Sequence, residues 1–137
     1  MYRIFKSFAV AFFILLFASA NAVYGIDDSI SRAIGKGRAF LLSTQHEDGH
    51  WSDPHMPALT ALPLWALSAT ETTSSKAVSN AVKFVLSTQR PDGGFYVPKP
   101  GRGGSGLGNY NTSVCLSALF VSGISPTLPM LKARKYI

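Results

Sequence analysis

The feature that most constrains this chain is an internal repeat. Residues 36–51 align without a gap on residues 80–95, and both stretches contain a Ser-Thr-Gln triplet followed by an Asp-Gly turn. A second pair of segments, residues 58–67 and 110–119, aligns in the same order. The spacing grows from about 44 to about 52 residues because the second loop carries a Gly-rich insertion. Self-similarity at this period predicts a repeat architecture in which neighbouring units share a core.

Each repeat is predicted to be a helical hairpin. Apolar residues recur every three or four positions from Ile30 to Leu41 and from Val78 to Leu86, which is typical of an amphipathic helix, and a Ser pair ahead of the second run can cap it. The partner segments, residues 58–69 and 110–121, are apolar nearly all round, so we expect them to be buried on most sides. Pro63 predicts a kink or a late helix start. The expected fold class is therefore all-α.

The segment ahead of the repeats is predicted to be a secretory signal peptide. Arg3 and Lys6 precede an apolar run at residues 8–17, and Ala20-Asn21-Ala22 provides a small-x-small cleavage site. This run is shorter than the roughly 20 residues that span a bilayer, although an uncleaved anchor is the alternative. We expect a secreted or periplasmic protein with no stable membrane span after cleavage. The predicted divisions are a signal peptide at 1–22, a first repeat at 23–73, a second repeat at 74–125 with its insertion at 97–109, and the start of a truncated third repeat at 126–137.

The charge distribution argues against a nucleic-acid partner. The chain has a formal net charge of +6, from 13 Lys and Arg against 7 Asp and Glu. Two of the basic residues lie in the predicted signal, and three more, Lys132, Arg134 and Lys135, lie near the C-terminus. The remaining chain is nearly neutral and contains no basic stripe interleaved with aromatic residues, so we predict no nucleic-acid binding.

The aligned segments 36–51 and 80–95 share a motif in which the Gln and the aromatic residue after the turn each have a physical role. A Gln just past a helix end can hydrogen-bond the unpaired backbone groups of that helix and of the next helix start. An aromatic residue beyond the Asp-Gly turn can cover that amide. We therefore interpret the motif as a structural staple that joins successive hairpins. Its members are Lys36, Gly37, Phe40, Leu41, Gln45, Gly49 and Trp51 in the first repeat, and Phe84, Val85, Gln89, Gly93 and Phe95 in the second.

This motif resembles the QW repeat of squalene-hopene and oxidosqualene cyclases and the related repeats of protein prenyltransferase β-subunits. The first copy fits at every defining position, whereas Asn80 and Phe95 replace the basic residue and the Trp in the second. Residues 131–137 look like the front of a third copy. The resemblance covers nearly the whole mature chain and implies a partial α/α toroid of helical hairpins, with apolar helices inside and an isoprenoid or other apolar ligand in the completed toroid.

Catalytic groups of those enzymes are not found in the sequence. The paired acids, Asp27-Asp28 and Glu47-Asp48, do not match the Asp-rich acid motif of the cyclases. His46, His50 and His55 follow no metal-ligand spacing. Cys115 lies in an apolar run and is expected to be a small buried hydrophobe. We therefore predict no catalytic residue, no metal and no cofactor in this stretch.

A Gly-rich stretch, Gly101-x-Gly103-x-x-Gly106, has the letters of a dinucleotide fingerprint but follows no predicted strand. It is interpreted as a flexible inserted loop, with a lid over a cavity mouth as the alternative.

Two functions remain open from the sequence. Two hairpins and part of a third leave an apolar edge uncovered, so an N-terminal fragment of a longer toroid is expected. The full-length form is then a terpenoid cyclase- or prenyltransferase-like enzyme in which this segment is scaffold. The alternative is a non-catalytic toroid module that binds a ligand or a protein partner. The oligomeric state is left open.

Overall fold

The computed structural model describes residues 28–98 and 107–137, and the regular structure within them is entirely helical. A single antiparallel bridge between Gln89 and Phe95 lies in a turn and forms no strand. The all-α prediction is confirmed. The predicted signal peptide and most of the Gly-rich insertion lie outside the described residues. The helices are α1 at residues 28–44, α2 at Ala58–Leu67, α3 at Lys76–Ser87, α4 at Gly108–Val121 and α5 at Leu128–Tyr136.

The chain divides into two compact units, Met1–Ala39 and Phe40–Ile137. In the first unit, the described residues 28–39 belong to α1 and are exposed throughout. Ile30 and Ile34 keep 52% and 55% of their surface accessible. The apolar spacing of this segment therefore predicts its helix correctly but not the environment of its side chains.

In the second unit, α2 and α4 lie side by side and run parallel. Near their starts, the Ala58 N–H donates to Asn111 Oδ1 over 3.2 Å. Just beyond their ends, the hydroxyls of Ser68 and Ser122 are 2.9 Å apart. Helix α2 begins at Ala58 and runs through Pro63, so the late helix start, one of the two outcomes expected at this proline, is absent. The buried amide of Asn111 provides a partner for the helix N-terminus, where no side-chain N-cap is present.

Helix α3 packs against α2, and α5 packs against α4, so that each apolar helix has an amphipathic neighbour. On α3, Val78, Ala81, Val82 and Val85 are buried at helical spacing, as the sequence predicts. The helix begins with an N-cap in which Ser75 Oγ accepts from the Val78 N–H over 3.3 Å. The side chains buried almost completely in this core include Leu64, Leu67, Leu119 and Phe95.

Candidate functional site

The two glutamines of the sequence motif make the same pair of hydrogen bonds. Gln45 Nε2 donates to the Gly49 carbonyl over 3.1 Å and to the Ala77 carbonyl over 2.9 Å. We call these residues, together with Trp51, the first junction. Each glutamine amide ties its own turn to the second residue of the following helix. The second junction is formed by Gln89, whose Nε2 donates to Gly93 over 2.9 Å and to Pro129 over 2.8 Å, together with Phe95.

The helix carbonyls that accept from the two glutamine amides differ in one respect from those that the sequence predicts. The amide was expected to reach unpaired groups at helix ends, but Ala77 and Pro129 lie in the first turns of α3 and α5. A first-turn carbonyl is a regular acceptor within its own helix. Because a carbonyl has two lone pairs, it can accept the glutamine amide as well. The glutamine therefore adds a tertiary bond and does not replace a missing helical one.

Glycine at each turn allows the following helix to approach closely. Gly49 has φ +96° and Gly93 has φ +98°, a region that side-chain-bearing residues rarely adopt. A Cβ atom at Gly49 would lie 2.4 Å from the carbonyl oxygen of Asn80, and one at Gly93 would lie 2.6 Å from that of Lys132. Both contacts involve backbone, so they cannot be relieved by a side-chain rotation. The predicted tight turns of positive φ are present at both positions.

Two buried threonines complete the junctions, and the sequence analysis assigned them no role. The Trp51 N–H donates to Thr60 Oγ1 over 3.2 Å, and the Phe95 N–H donates to Thr112 Oγ1 over 2.9 Å. Both threonines are fully buried in helices that are otherwise mostly apolar. The available signal was their alignment with each other, since a buried hydroxyl needs a partner. The Trp51 ring is also fixed, because its Nε1 donates to the Leu41 carbonyl over 2.9 Å.

The structure does not bring the remaining motif residues into the junctions. Lys36 and Gly37 are exposed, and Gly37 has no atom within 4 Å of an added Cβ. Phe40 is 64% exposed. Phe84 packs its ring on that of His50, with centroids 5.3 Å apart, and Val85 is buried in the core.

The histidines form local turn contacts. The rings of His46 and His50 stack with centroids 4.2 Å apart. The contact of His50 Nδ1 with the Asp48 carboxylate lowers the pKa of Asp48. His55 Nδ1 lies 3.0 Å from Asp53 Oδ1. Within residues 28–98 and 107–137, no group of three or more His, Cys, Asp or Glu side chains is arranged to hold a metal ion.

Cys115 is a residue of α4 and lies in the buried core. Burial raises the pKa of its thiol to about 12, because the thiolate would lose its hydration. A thiol that stays protonated at neutral pH is a poor nucleophile. The side chain therefore acts as a packing group in this fold, as the sequence predicts.

An apolar groove opens between α4 and α5 at the side of α2. We call it the α4–α5 groove, and its volume is about 500 Å³. Arg134 is the charged residue of its lining, and it forms no ion pair with any described residue. Three basic residues near the C-terminus are evident from the sequence, but the groove beside them is not. The residues that line it include Trp65, Leu116, Phe120, Met130, Leu131 and Arg134.

A second cavity, of about 680 Å³, lies beside the first junction. It is lined by charges of both signs, among them Glu47, Glu71 and Lys76. Such a mixed lining selects no single class of ligand. The α4–α5 groove is therefore the better candidate for a binding site.

Comparisons with known proteins identify no relative. No protein-family model, curated protein or solved structure matches the chain. Among the helices in the described part of the chain, none is both long and apolar enough to cross a membrane.

Proposed function

We propose that this chain is a scaffold module of an exported protein of the QW-repeat kind. In this proposal α2 and α4 are inner helices of a partial α/α toroid, and the module is related to terpenoid cyclases and protein prenyltransferases. The observation that carries the proposal is the pair of junctions. In each junction the glutamine amide donates to the carbonyl of a turn glycine and to a carbonyl of the next helix, and a buried threonine hydroxyl accepts from the backbone N–H of the aromatic residue. A structural staple is the role that the hydrogen-bonding capacity of the motif glutamines predicts.

A scaffold role fits the chemistry of the described residues better than a catalytic one. The thiol of Cys115 stays protonated, His50 and His55 contact neighbouring turn aspartates, and the ring of His46 stacks on that of His50. Charged side chains are also absent from α2 and α4. If the full-length protein is a cyclase- or prenyltransferase-like enzyme, we propose that these residues support its cavity and that its reacting groups lie elsewhere.

The ligand proposed for the completed toroid is an isoprenoid or another apolar molecule. Leu62 and Trp65 lie one helical turn apart on α2, and 44% and 43% of their surfaces are exposed. An exposed apolar strip on a partly buried helix suits a ligand that is mostly apolar.

Isoprenoid binding can be measured through Trp65, because Trp51 is buried and should contribute a constant signal. We expect farnesol to change the Trp fluorescence of the folded chain saturably, and Leu62→Ser to weaken that binding several-fold. Leu128→Ser is the matched control, since Leu128 is a leucine 65% exposed on α5 and does not belong to the exposed strip of α2. A folded chain that binds no isoprenoid saturably would contradict the ligand proposal while leaving the scaffold role to be tested at the junctions.

The second candidate is a non-catalytic module that binds a protein partner. The α4–α5 groove favours it, because the groove combines apolar walls with a cation, Arg134, that no described residue pairs. Partner-binding surfaces often place such a charge at the rim of an apolar centre. Farnesol binding without any protein partner would favour the first candidate.

A further inference from the structure

Residues 111–113 read Asn-Thr-Ser, which is the acceptor sequence for N-linked glycosylation, and no other Asn of the chain begins such a sequence. In an exported protein this pattern predicts an exposed loop. The structure places it instead in the first two turns of α4. Asn111 is 1% exposed and Thr112 is fully buried, whereas Ser113 is exposed. The acceptor amide is therefore enclosed in the folded chain.

The side chains of Asn111 and Thr112 both hold parts of the fold together. Asn111 Oδ1 accepts the backbone N–H of Ala58 over 3.2 Å at the start of α2. Thr112 Oγ1 accepts the N–H of Phe95 over 2.9 Å in the second junction. Ala58 and Phe95 are themselves completely buried. Asn111 therefore lies at the contact between α2 and α4 and not on an outer face of either helix.

N-glycosylation would add a large group at this contact. In the transfer, Nδ2 of the Asn gives a proton to a basic group of the transferase and forms a bond to C1 of the sugar. The bond from C1 to the diphosphate of a lipid-linked oligosaccharide breaks, and the lipid diphosphate leaves. Because protein interiors are close-packed, an oligosaccharide on Asn111 does not fit between α2 and α4. A chain modified at this residue has to keep α4 apart from α2.

We propose that Asn111 is an N-glycosylation acceptor only before the chain folds, and that its glycosylation and the pairing of α2 with α4 exclude each other. In the unfolded chain the Asn111 amide and the Ser113 hydroxyl are accessible, so a transferase that meets the chain first modifies it and prevents α4 from packing. A chain that folds first is protected. This inference rests on the export given under the proposed function, because an export route is where a chain meets lipid-linked oligosaccharides.

The first repeat distinguishes the part of the acceptor sequence that the fold requires. At the spacing that aligns Thr60 with Thr112, Ala61 corresponds to Ser113. The buried threonine is common to both repeats, whereas the hydroxyl at residue 113 is not. Because Ser113 is exposed, Ser113→Ala destroys the acceptor sequence and leaves the hydrogen bonds of Asn111 and Thr112 in place. Alanine is also the better helix former.

The test adds a purified oligosaccharyltransferase and a lipid-linked oligosaccharide directly to the chain. Native chain is compared with chain diluted from urea into the same mixture, and modification is read as a mass increase that peptide N-glycosidase removes. We expect refolding chains to be modified in competition with folding, and native chains at least about a hundredfold more slowly, because only opened molecules react. The modified chains should lack the protease resistance and the Trp fluorescence spectrum of the native chain.

Two variants serve as matched controls. Ser113→Ala should stay unmodified under both conditions and should fold as the wild type does. Thr72→Asn, combined with Ser113→Ala, creates a new acceptor sequence with Thr73 and Ser74 in the exposed loop between α2 and α3. The native form of this double variant should be modified and should stay folded, because a glycan on the loop extends into solvent. It separates the burial of the acceptor from any general effect of a glycan.

Four results would overturn the proposal. They are modification of native wild type as fast as of refolding chains, glycosylated wild type that keeps the native fold, refolding wild type that stays unmodified while the Thr72→Asn double variant is modified, and native double variant that is protected as strongly as native wild type. The last result would show that burial of Asn111 is not the cause of its protection. Export is tested separately by translocation of the chain into microsomes, and failure there contradicts the proposed export while leaving the exclusion between glycan and fold standing.

Discussion

The sharpest test of the junctions is Gln89→Glu, which changes an amide into a carboxylate of nearly the same shape. Both partners of Gln89 Nε2 are carbonyl oxygens, on Gly93 at 2.9 Å and on Pro129 at 2.8 Å. A carboxylate has no hydrogen to donate, so the variant places an oxygen where a donor is required. The substitution therefore removes the bonds without creating a cavity.

The expected cost follows from these two contacts. Each hydrogen bond contributes about 1 kcal/mol net, so losing both costs about 2 kcal/mol. Holding a half-buried carboxylate against two carbonyl oxygens adds about 2 kcal/mol more. A total of about 4 kcal/mol is a large part of the 5–15 kcal/mol by which a typical domain is stable. We expect the urea midpoint to fall by about 2 M if the slope is about 2 kcal/mol per molar.

The loss should depend on pH. The carbonyl oxygens disfavour the charged form, so the pKa of the introduced Glu in the folded state should lie above its ordinary value of about 4.3. Destabilisation is then largest at neutral pH. It decreases as the pH falls through the raised pKa, because the protonated acid regains one donor.

Urea unfolding of the variant and of wild type at pH 7 and pH 3.5 measures both effects. Asn109→Asp is the control, since it makes the same chemical change at an exposed position in the first turn of α4. A negative charge there is neutral or slightly stabilising. The reasoning is refuted if Gln89→Glu costs less than about 1 kcal/mol at pH 7, or if its cost is the same at both pH values.

Two further predictions concern the turn and the core. Gly93→Ala should lower the free energy of unfolding by about 3 kcal/mol, because it combines positive φ with a Cβ only 2.6 Å from the Lys132 carbonyl oxygen. Gly37→Ala should raise the free energy of unfolding by up to about 1 kcal/mol, because Gly37 is helical with open space beside it. Thermal or urea unfolding that gives the two variants equal stability would contradict this. The Cys115 thiol should react with a thiol reagent at pH 8 only as fast as the chain opens, because burial raises its pKa to about 12, and fast labelling of the folded protein would contradict its buried position.

The sequence anticipated those parts of the fold that depend on local chemistry. Positive φ at Gly49 and Gly93 follows from Asp-Gly turns, and the donor role of Gln45 and Gln89 follows from an amide just beyond a helix end, although the carbonyls that accept from it are not the ones predicted. These features need only a few neighbouring residues. Their agreement between the two repeats made them predictable without knowledge of the whole fold.

Features that depend on distant neighbours were not predictable in the same way. The spacing of Ile30 and Ile34 is that of a helix face, but periodicity does not say whether anything covers the face, and both are exposed. The start of α2 depends on Asn111, which is 53 positions away along the chain. No local sequence pattern around Ala58 predicts that hydrogen bond. The polar side chain in an apolar helix was the available clue, because buried amides require partners.

Polar residues in the apolar helices thus carry information that hydrophobic periodicity does not. Thr60 and Thr112 each accept the N–H of the aromatic residue after the turn, so the position of each turn is fixed by a hydroxyl on the neighbouring helix. Replacing either threonine by valine would keep the helix apolar but leave a backbone N–H without its acceptor, at a cost of about 1–3 kcal/mol. The repeat therefore specifies its junctions through hydrogen bonds of the glutamine amides and the threonine hydroxyls.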